Sequence, residues 1–388
     1  MISVEEALAR CFDLVAVLPT ETVALRHAAE RVMAVPAVAR RDQPPFAASA
    51  MDGYAVAGDP VAGDSFDVIG EAGAGHAFHG AVGAGQAVRI FTGAPVPQGA
   101  TRVVIQEDVT REGARITLKP DADTGTHIRP KGQDFRAGAT IAPRLLRPND
   151  LALLAAMNVA EVQVTRRPVV AIIATGDELV MPGEDPAPDQ IIASNSFALA
   201  AMVEAAGGEA RLLPIARDTE AELFTVLSMA GSCDLIVTIG GASVGDHDLV
   251  GRVAESMGLA RAFYKIAMRP GKPLMAGRLR GVPMLGLPGN PVSSIVCGHL
   301  FLLPMMRAML GLGAAGPEVR QALLAEALPA NGPRAHYMRA RLSGDRIAPF
   351  ERQDSALITI LTEADALLVR PVSAPPAAAG DVVDYIAL

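Results

Sequence analysis

Tryptophan is absent from this 388-residue chain, and aromatic residues make up only 4% of it. Its cores must therefore be built from the Ala, Val, Leu, Ile and Met of a composition that is 50% hydrophobic, ample for about two to three domains. Lysine is scarce too. Of 34 basic residues only four are Lys (Lys119, Lys131, Lys265 and Lys272), and the other thirty are Arg. The net charge of −8 excludes a broad nucleic-acid surface, so an anionic ligand must be met by locally placed cations. Three scattered cysteines (Cys11, Cys233 and Cys297) with no CxxC spacing exclude a disulfide framework and fit reduced thiols in the cytoplasm. The N-terminus has no basic n-region of a secretory signal. The most apolar stretch, 294–310, contains His299, Pro304 and Arg307, and reads as a buried helix with no membrane span.

The residues present divide the chain by texture. Ser3 to Glu6 is a capping-box pattern that predicts a helix to about Val17, and a second helix is predicted over 23–33. Residues 40–142 are rich in Gly and Pro with short alternating runs, the pattern of a small all-β module, and 151–157 reads as a returning helix. From Pro168, apolar runs at 169–173, 210–215, 235–239, 262–266 and 283–287 alternate with helical stretches, which predicts a parallel, doubly wound α/β domain. After Gly311 short strands return, predicting a third, β domain.

In an open parallel sheet, ligands bind at the carboxyl ends of the strands. The segments after the five runs are ATGDEL (174–179), a stretch with Asp218, GGASVGDHD (240–248), MRPGKP (268–273) and PGNP (288–291). They carry carboxylates at 177, 178, 218, 246 and 248 and cations at 265, 269 and 272. Mixed charge on one rim suits a ligand with both phosphate and a divalent cation: Mg²⁺ takes one or two carboxylates plus phosphate oxygens, and Lys or Arg meets the remaining negative charge. GLGAAG (311–316) comes after a helix, so it fails the context of a dinucleotide motif, and His76 and His79 lie in a Gly-rich turn without a partner cluster. GASVG (241–245) matches a nucleophile elbow, which makes a serine hydrolase using Ser243, with His336 as the available histidine, the rival enzyme.

Taken together, SAMDGYAV (49–56), RIFTGAPVPQGA (89–100), VVIQED (103–108), GQDF (132–135), TGDEL, GGASVGDHD, KIAMRPGKP (265–273) and GLPGNPVS (286–293) closely resemble the molybdopterin molybdenumtransferase family, which includes the C-terminal domain of gephyrin. The resemblance spans nearly the whole chain. It implies a homodimer of four-part subunits: a helical part from 1–39 and 138–167, an inserted β module over 40–137, an α/β domain over 168–316 resembling the molybdopterin adenylyltransferases, and a barrel-like β domain over 317–388.

It also implies the reaction, in which molybdate enters adenylylated molybdopterin with Mg²⁺ and AMP is released, and a handover from the adenylyltransferase. Carried over by motif, the catalytic positions are Asp52, Thr92, Asp134, Asp218, Lys265, Arg269 and Lys272. The substrate-binding positions are Gly240, Gly241, Ser243, Pro288, Pro291, Arg339 and Ser355, with Arg334 and Arg341 as alternatives in the last domain. Glu178 and Asp248 are the metal ligands. Arg269 stands where relatives often have Lys, which keeps the charge and changes the donor geometry. A non-catalytic, gephyrin-like scaffold is the reading from another class.

Overall fold

The computed structural model describes residues 1–241 and 249–388. The chain forms two compact units, one of residues 1–21 with 165–388 and the other of residues 22–164.

In the first unit a six-stranded sheet runs Glu209–Leu212, Val169–Ala174, Leu235–Ile239, Val282–Leu287, Met275–Leu279 and Leu259–Tyr264. The first four strands are parallel. Val169–Ala174 and Leu235–Ile239 are buried along their whole length, as strands covered by helices on both faces must be. One face, with Val170, Ile172, Val237 and Leu285, packs on the helix Asn195–Ala205 and on the long helical stretch after Pro291. The other, with Ala171, Ile173 and Ile236, packs on Glu220–Met229 and Leu249–Ser256. The sheet is mixed where an all-parallel one is expected. Met275–Leu279 lies antiparallel to Val282–Leu287, across a tight turn at Arg280 (φ 50°) and Gly281 (φ 88°). Two successive positive φ values are the signature of a two-residue hairpin.

The helix Val4–Asp13 begins at Ser3, whose hydroxyl accepts the Glu6 amide at 3.1 Å. Its apolar side (Val4, Ala7 and Cys11) joins the α/β core, and Arg10 donates to the Ala262 carbonyl at 2.8 Å. This corrects the expectation that it packs with 138–167. The apolar stretch from Pro291 to Met309 is 19 residues long and apolar enough to cross a membrane by composition, but 78% of its best window is buried inside the protein. It carries one π-turn at Gly298–Leu302, where Leu303 donates to the Gly298 carbonyl. Pro304 comes next and has no amide to continue the regular ladder.

Five strands close a small barrel. Ala335–Ser343 pairs with Arg346–Pro349 and with Ala366–Arg370. The circuit continues through Val382–Ala387 and Arg320–Leu324 back to Arg346–Pro349. A two-residue strand, Met268–Arg269, adds itself in parallel to Ala335 and His336.

The second unit holds a six-stranded sheet built on Gly53–Val56, Ser65–Ala72, Gln86–Ile90, Arg102–Ile105, Val109–Glu112 and Arg115–Leu118. It is buried on both faces, by Tyr54, Phe66 and Ile116 on one and by Val88, Ile90 and Val103 on the other. The helix expected over 23–33 is absent. That segment forms the strand Thr20–Ala24, a 3-10 turn at Leu25–His27 and the short strand Val32–Met33. Thr20, Thr22 and Val23 are β-branched, and Glu30 sits at φ 60°, which no helix interior allows. The Pro148–Ala156 helix does form, with the Asp150 side chain accepting the Arg147 amide at 2.9 Å.

Where the chain enters the α/β sheet, the Asp234 carboxylate accepts both Arg166 guanidinium nitrogens (2.7 and 2.6 Å) and the Val169 amide (2.8 Å). Burial alone would raise this carboxyl, but the Arg166 and Val169 hydrogen bonds outweigh it and hold it below the usual carboxylate range. Asp234→Ala should therefore destabilise the protein by about 2–3 kcal/mol at pH 7, leaving a half-buried guanidinium and an amide unpaired. Because the folded carboxyl is the stronger acid, the wild-type advantage should be present at neutral pH and shrink as the pH falls through the carboxylate range. Urea unfolding of both proteins at pH 7 and pH 3.5 checks both statements.

Candidate active site

Strand order reverses between Val169–Ala174 and Leu235–Ile239, since the chain leaves the first toward Glu209–Leu212 and returns to the other side. A cleft of about 620 Å³ opens at this switch point. Glu178, Asp218, Gly240, Gly241, Pro288 and Pro291 all line it. The carboxyl ends of four parallel strands thus bring six of the expected site residues around one cleft.

Each arrives there by local geometry. Gly176 has φ 146°, and a Cβ on it would lie 2.3 Å from Glu178 Oε2, so the Glu178 carboxylate folds into the space that a side chain at 176 would fill. Asp218 donates its amide to Asp177 Oδ1 at 3.0 Å. Burial raises the Asp218 carboxyl above its ordinary range, and the charges of Asp177 and Glu178 add to that shift. Gly240 and Gly241 have φ 91° and 64°, and a Cβ on Gly240 would meet the Thr175 carbonyl oxygen at 2.7 Å. Only glycine lets these two loops run so close.

Asn195, which the sequence did not mark, also lines the cleft and donates to the Gly289 carbonyl at 2.7 Å, fixing the turn before Pro291. Arg217 was missed as well, although it directly precedes Asp218. Among the described residues no group of three or more ligating side chains could hold a metal ion alone. Glu178 and Asp218 do supply the one or two carboxylates that Mg²⁺ takes when phosphate oxygens and water complete its shell. Ser243 and Asp248 lie outside the described residues.

The 265–274 loop is pinched at its neck: Lys265 donates its amide to Leu274 at 3.0 Å, and Ile266 donates to Lys272 at 3.1 Å. Lys265 itself has φ 69°, and its ammonium lies 4.9 Å from the Tyr264 ring centre. Pro273, next to Lys272, is on the cleft wall. Arg269 pairs with His336 on the first barrel strand. Burial pushes His336 down to about 4, with Arg269, Arg339 and Arg334 adding to the shift, so the imidazole is neutral at physiological pH. A histidine held at that value is a poor general base, which weakens the Ser243 hydrolase reading.

Ser355 accepts the Val292 amide on its carbonyl at 3.0 Å, and the adjoining Ala356 lines the cleft. Arg339 lies on the barrel strand Ala335–Ser343. It is 1% exposed and donates to the Leu357 carbonyl at 3.1 Å and the Arg352 carbonyl at 3.4 Å. These two bonds hold the loop that carries Ser355.

The remaining expected residues lie in the second unit. Asp52 Oδ1 accepts both the amide and the hydroxyl of Thr92, each at 2.7 Å. These two bonds hold the Asp52 carboxyl below its usual range, with help from Arg89, whose guanidinium lies against the Tyr54 and Phe91 rings. Asp134 and Gly93 share a separate hollow of about 670 Å³.

Three family models match the chain: the MoeA N-terminal region (domain I and II) over residues 2–158, a probable molybdopterin binding domain over 171–308, and the MoeA C-terminal region (domain IV) over 321–388. A molybdopterin molybdenumtransferase of a Nostoc species is 38% identical over 305 residues, covering 76% of this chain and 70% of that protein. Molybdopterin molybdenumtransferase 2 of Mycobacterium tuberculosis is 36% identical over 338 residues, or 83% of each chain. The crystal structure of a molybdopterin biosynthesis MoeA protein from Pyrococcus horikoshii superposes with a TM-score of 0.86 at 29% identity, covering 100% of this chain and 99% of that one.

The strain at Asp218 has a measurable consequence. A carboxyl whose folded value is raised penalises the folded state above its ordinary titration range, and the penalty vanishes once both states are protonated. Asp218→Asn should therefore raise the thermal midpoint at pH 7.5 in metal-free buffer, with the gain fading toward pH 4. A gain that stayed constant with pH would contradict this account of the carboxylate cluster.

Proposed function

Because this chain belongs to the molybdopterin molybdenumtransferase family, we propose that it inserts molybdate into adenylylated molybdopterin, with Mg²⁺, to release AMP and form molybdenum cofactor. The observation that carries the reading is the cleft at the switch point, where carboxylates face glycine and proline turns. Glu178 and Asp218 would hold the cation from the cleft wall, together with Asp248, which the resemblance pairs with Glu178 as a metal ligand. A divalent cation held there would supply Lewis-acid stabilisation of phosphate charge. The glycine turn at 240–241 lets backbone come close to phosphate, and the turn at 288–291 lines the same cleft.

Lys265 and Lys272 meet the charge that develops as the phosphoanhydride opens. Arg339 and Ser355 are the oxyanion contacts the resemblance implies, and Arg269, Asp52, Thr92 and Asp134 are its further catalytic positions. We place the reaction in the cytoplasm, where the three buried free thiols stay reduced, and assign the active form as a homodimer supplied by the adenylyltransferase. Relatives that share most of the chain's length bear the transferase name, which favours this reading over a hydrolase or a scaffold.

Glu178→Gln, Lys265→Ala and Lys272→Ala should each lower molybdenum insertion by about 100-fold or more, while the thermal midpoint moves little. Quantifying pterin-bound molybdenum and AMP after single turnover checks this, and wild-type yields in all three variants would sink the assignment. Mass photometry at micromolar concentration should show the dimer.

A further inference from the structure

The carboxylates of the cleft sit on two loops that are bound to each other more tightly than loop packing requires. Arg217 Nη1 donates to three carbonyls of the other loop: Gly176 (3.4 Å), Asp177 (2.9 Å) and Leu179 (2.9 Å). The return contact is the Asp177 carboxylate on the Asp218 amide at 3.0 Å. Beneath them Gly176 donates to the Ala216 carbonyl at 3.1 Å, and Ala216 donates to Ala174 at 2.9 Å.

One carbonyl in the run is left out. That of Glu178 points the other way and accepts the Ile191 amide at 2.7 Å. Three peptide groups turned toward a single nitrogen, with the fourth turned away, fix the backbone on both sides of Glu178. Its carboxylate is then directed back over Gly176, into space that a Cβ would occupy.

We propose that Arg217, Asp177 and Gly176 form a clasp that positions the Glu178 and Asp218 carboxylates to receive the divalent cation, with Arg217 acting as a positioning residue. The inference rests on the reading of the cleft as the cation and phosphate site. Arg217 contributes through hydrogen-bond geometry, so a side chain that keeps a donor within reach retains part of its effect. Removing the side chain frees the peptide planes at 176, 177 and 179 and lets the two carboxylates drift apart. The α/β core beneath is untouched.

The test uses the full-length protein and Mn²⁺ alone as the probe, with uptake monitored by the electron paramagnetic resonance of free Mn²⁺. Arg217→Ala and Gly176→Ala should each weaken Mn²⁺ binding by about tenfold or more, as losses behind metal ligands do. Arg217→Lys should recover most of that loss. In turnover, kcat should fall in both alanine variants while KM for adenylylated molybdopterin stays within about threefold, the split expected when only transition-state stabilisation is lost. If Arg217→Ala fails to fold, Gly176→Ala decides, because its added Cβ strikes the Glu178 carboxylate directly. Mn²⁺ binding unchanged in both alanine variants, with a wild type that binds and turns over, overturns the clasp alone. A wild type that takes up no Mn²⁺ overturns the reading of the cleft and the clasp with it.

Discussion

Burial of the Asp218 carboxylate beside Asp177 and Glu178 is the cost that the first unit's packing has to bear. Three carboxylates meet on one rim of a chain already carrying a charge of −8, and only folding brings Asp218 to the adjacent pair Asp177 and Glu178. They are held together by what lies below them. Strands buried on both faces, tied in register from Val170–Leu235 to Ala174–Ile239, end at one level and present their loops side by side. The apolar cores supply the stability, and the site at their edge stores strain that those cores can bear.

The use of arginine throughout the unit has a pattern. Arg10 braces the Ala262 carbonyl, Arg278 that of Leu14, Arg339 that of Leu357 and Arg217 three carbonyls at once. A planar, always-charged fork with five donors suits cross-bracing of buried backbone, where a partly hydrated ammonium would be less fitted. The lysines divide by unit. Lys119 and Lys131 are engaged by the Glu107 carbonyl and by Asp42, while Lys265 and Lys272 share the necked loop beside the cleft.

Much of this was legible in the sequence, and the failures have physical causes. The central strands Val169–Ala174 and Leu235–Ile239 announced themselves because a run buried on both faces is almost wholly apolar. The cleft residues could be found in the loop at the carboxyl end of each run. Met275–Leu279 was not found, because MAGRL has no β-branched residue and its partner is set by the turn at 280–281. The 23–33 segment has helix-like apolar spacing but forms short strands, whose pairing tertiary contacts decide. Asn195 and Arg217 went unmarked because each acts on a distant carbonyl, and such a contact leaves no periodicity in the chain.

The short strand Met268–Arg269 has a consequence for how this protein can change its length. Its two side chains point to opposite sides: Met268 is fully buried in the α/β core, and Arg269 is exposed beside the barrel. A strand alternates faces at every residue, so inserting or deleting one residue between Ile266 and Arg269 would turn the guanidinium inward and the thioether outward. The 335–336 strand fixes the register from the far side and offers no slack. Length variation in this part of the fold is therefore confined to changes that preserve the alternation, while the exposed 181–190 loop, which carries no such ladder, is free to grow or shrink by single residues.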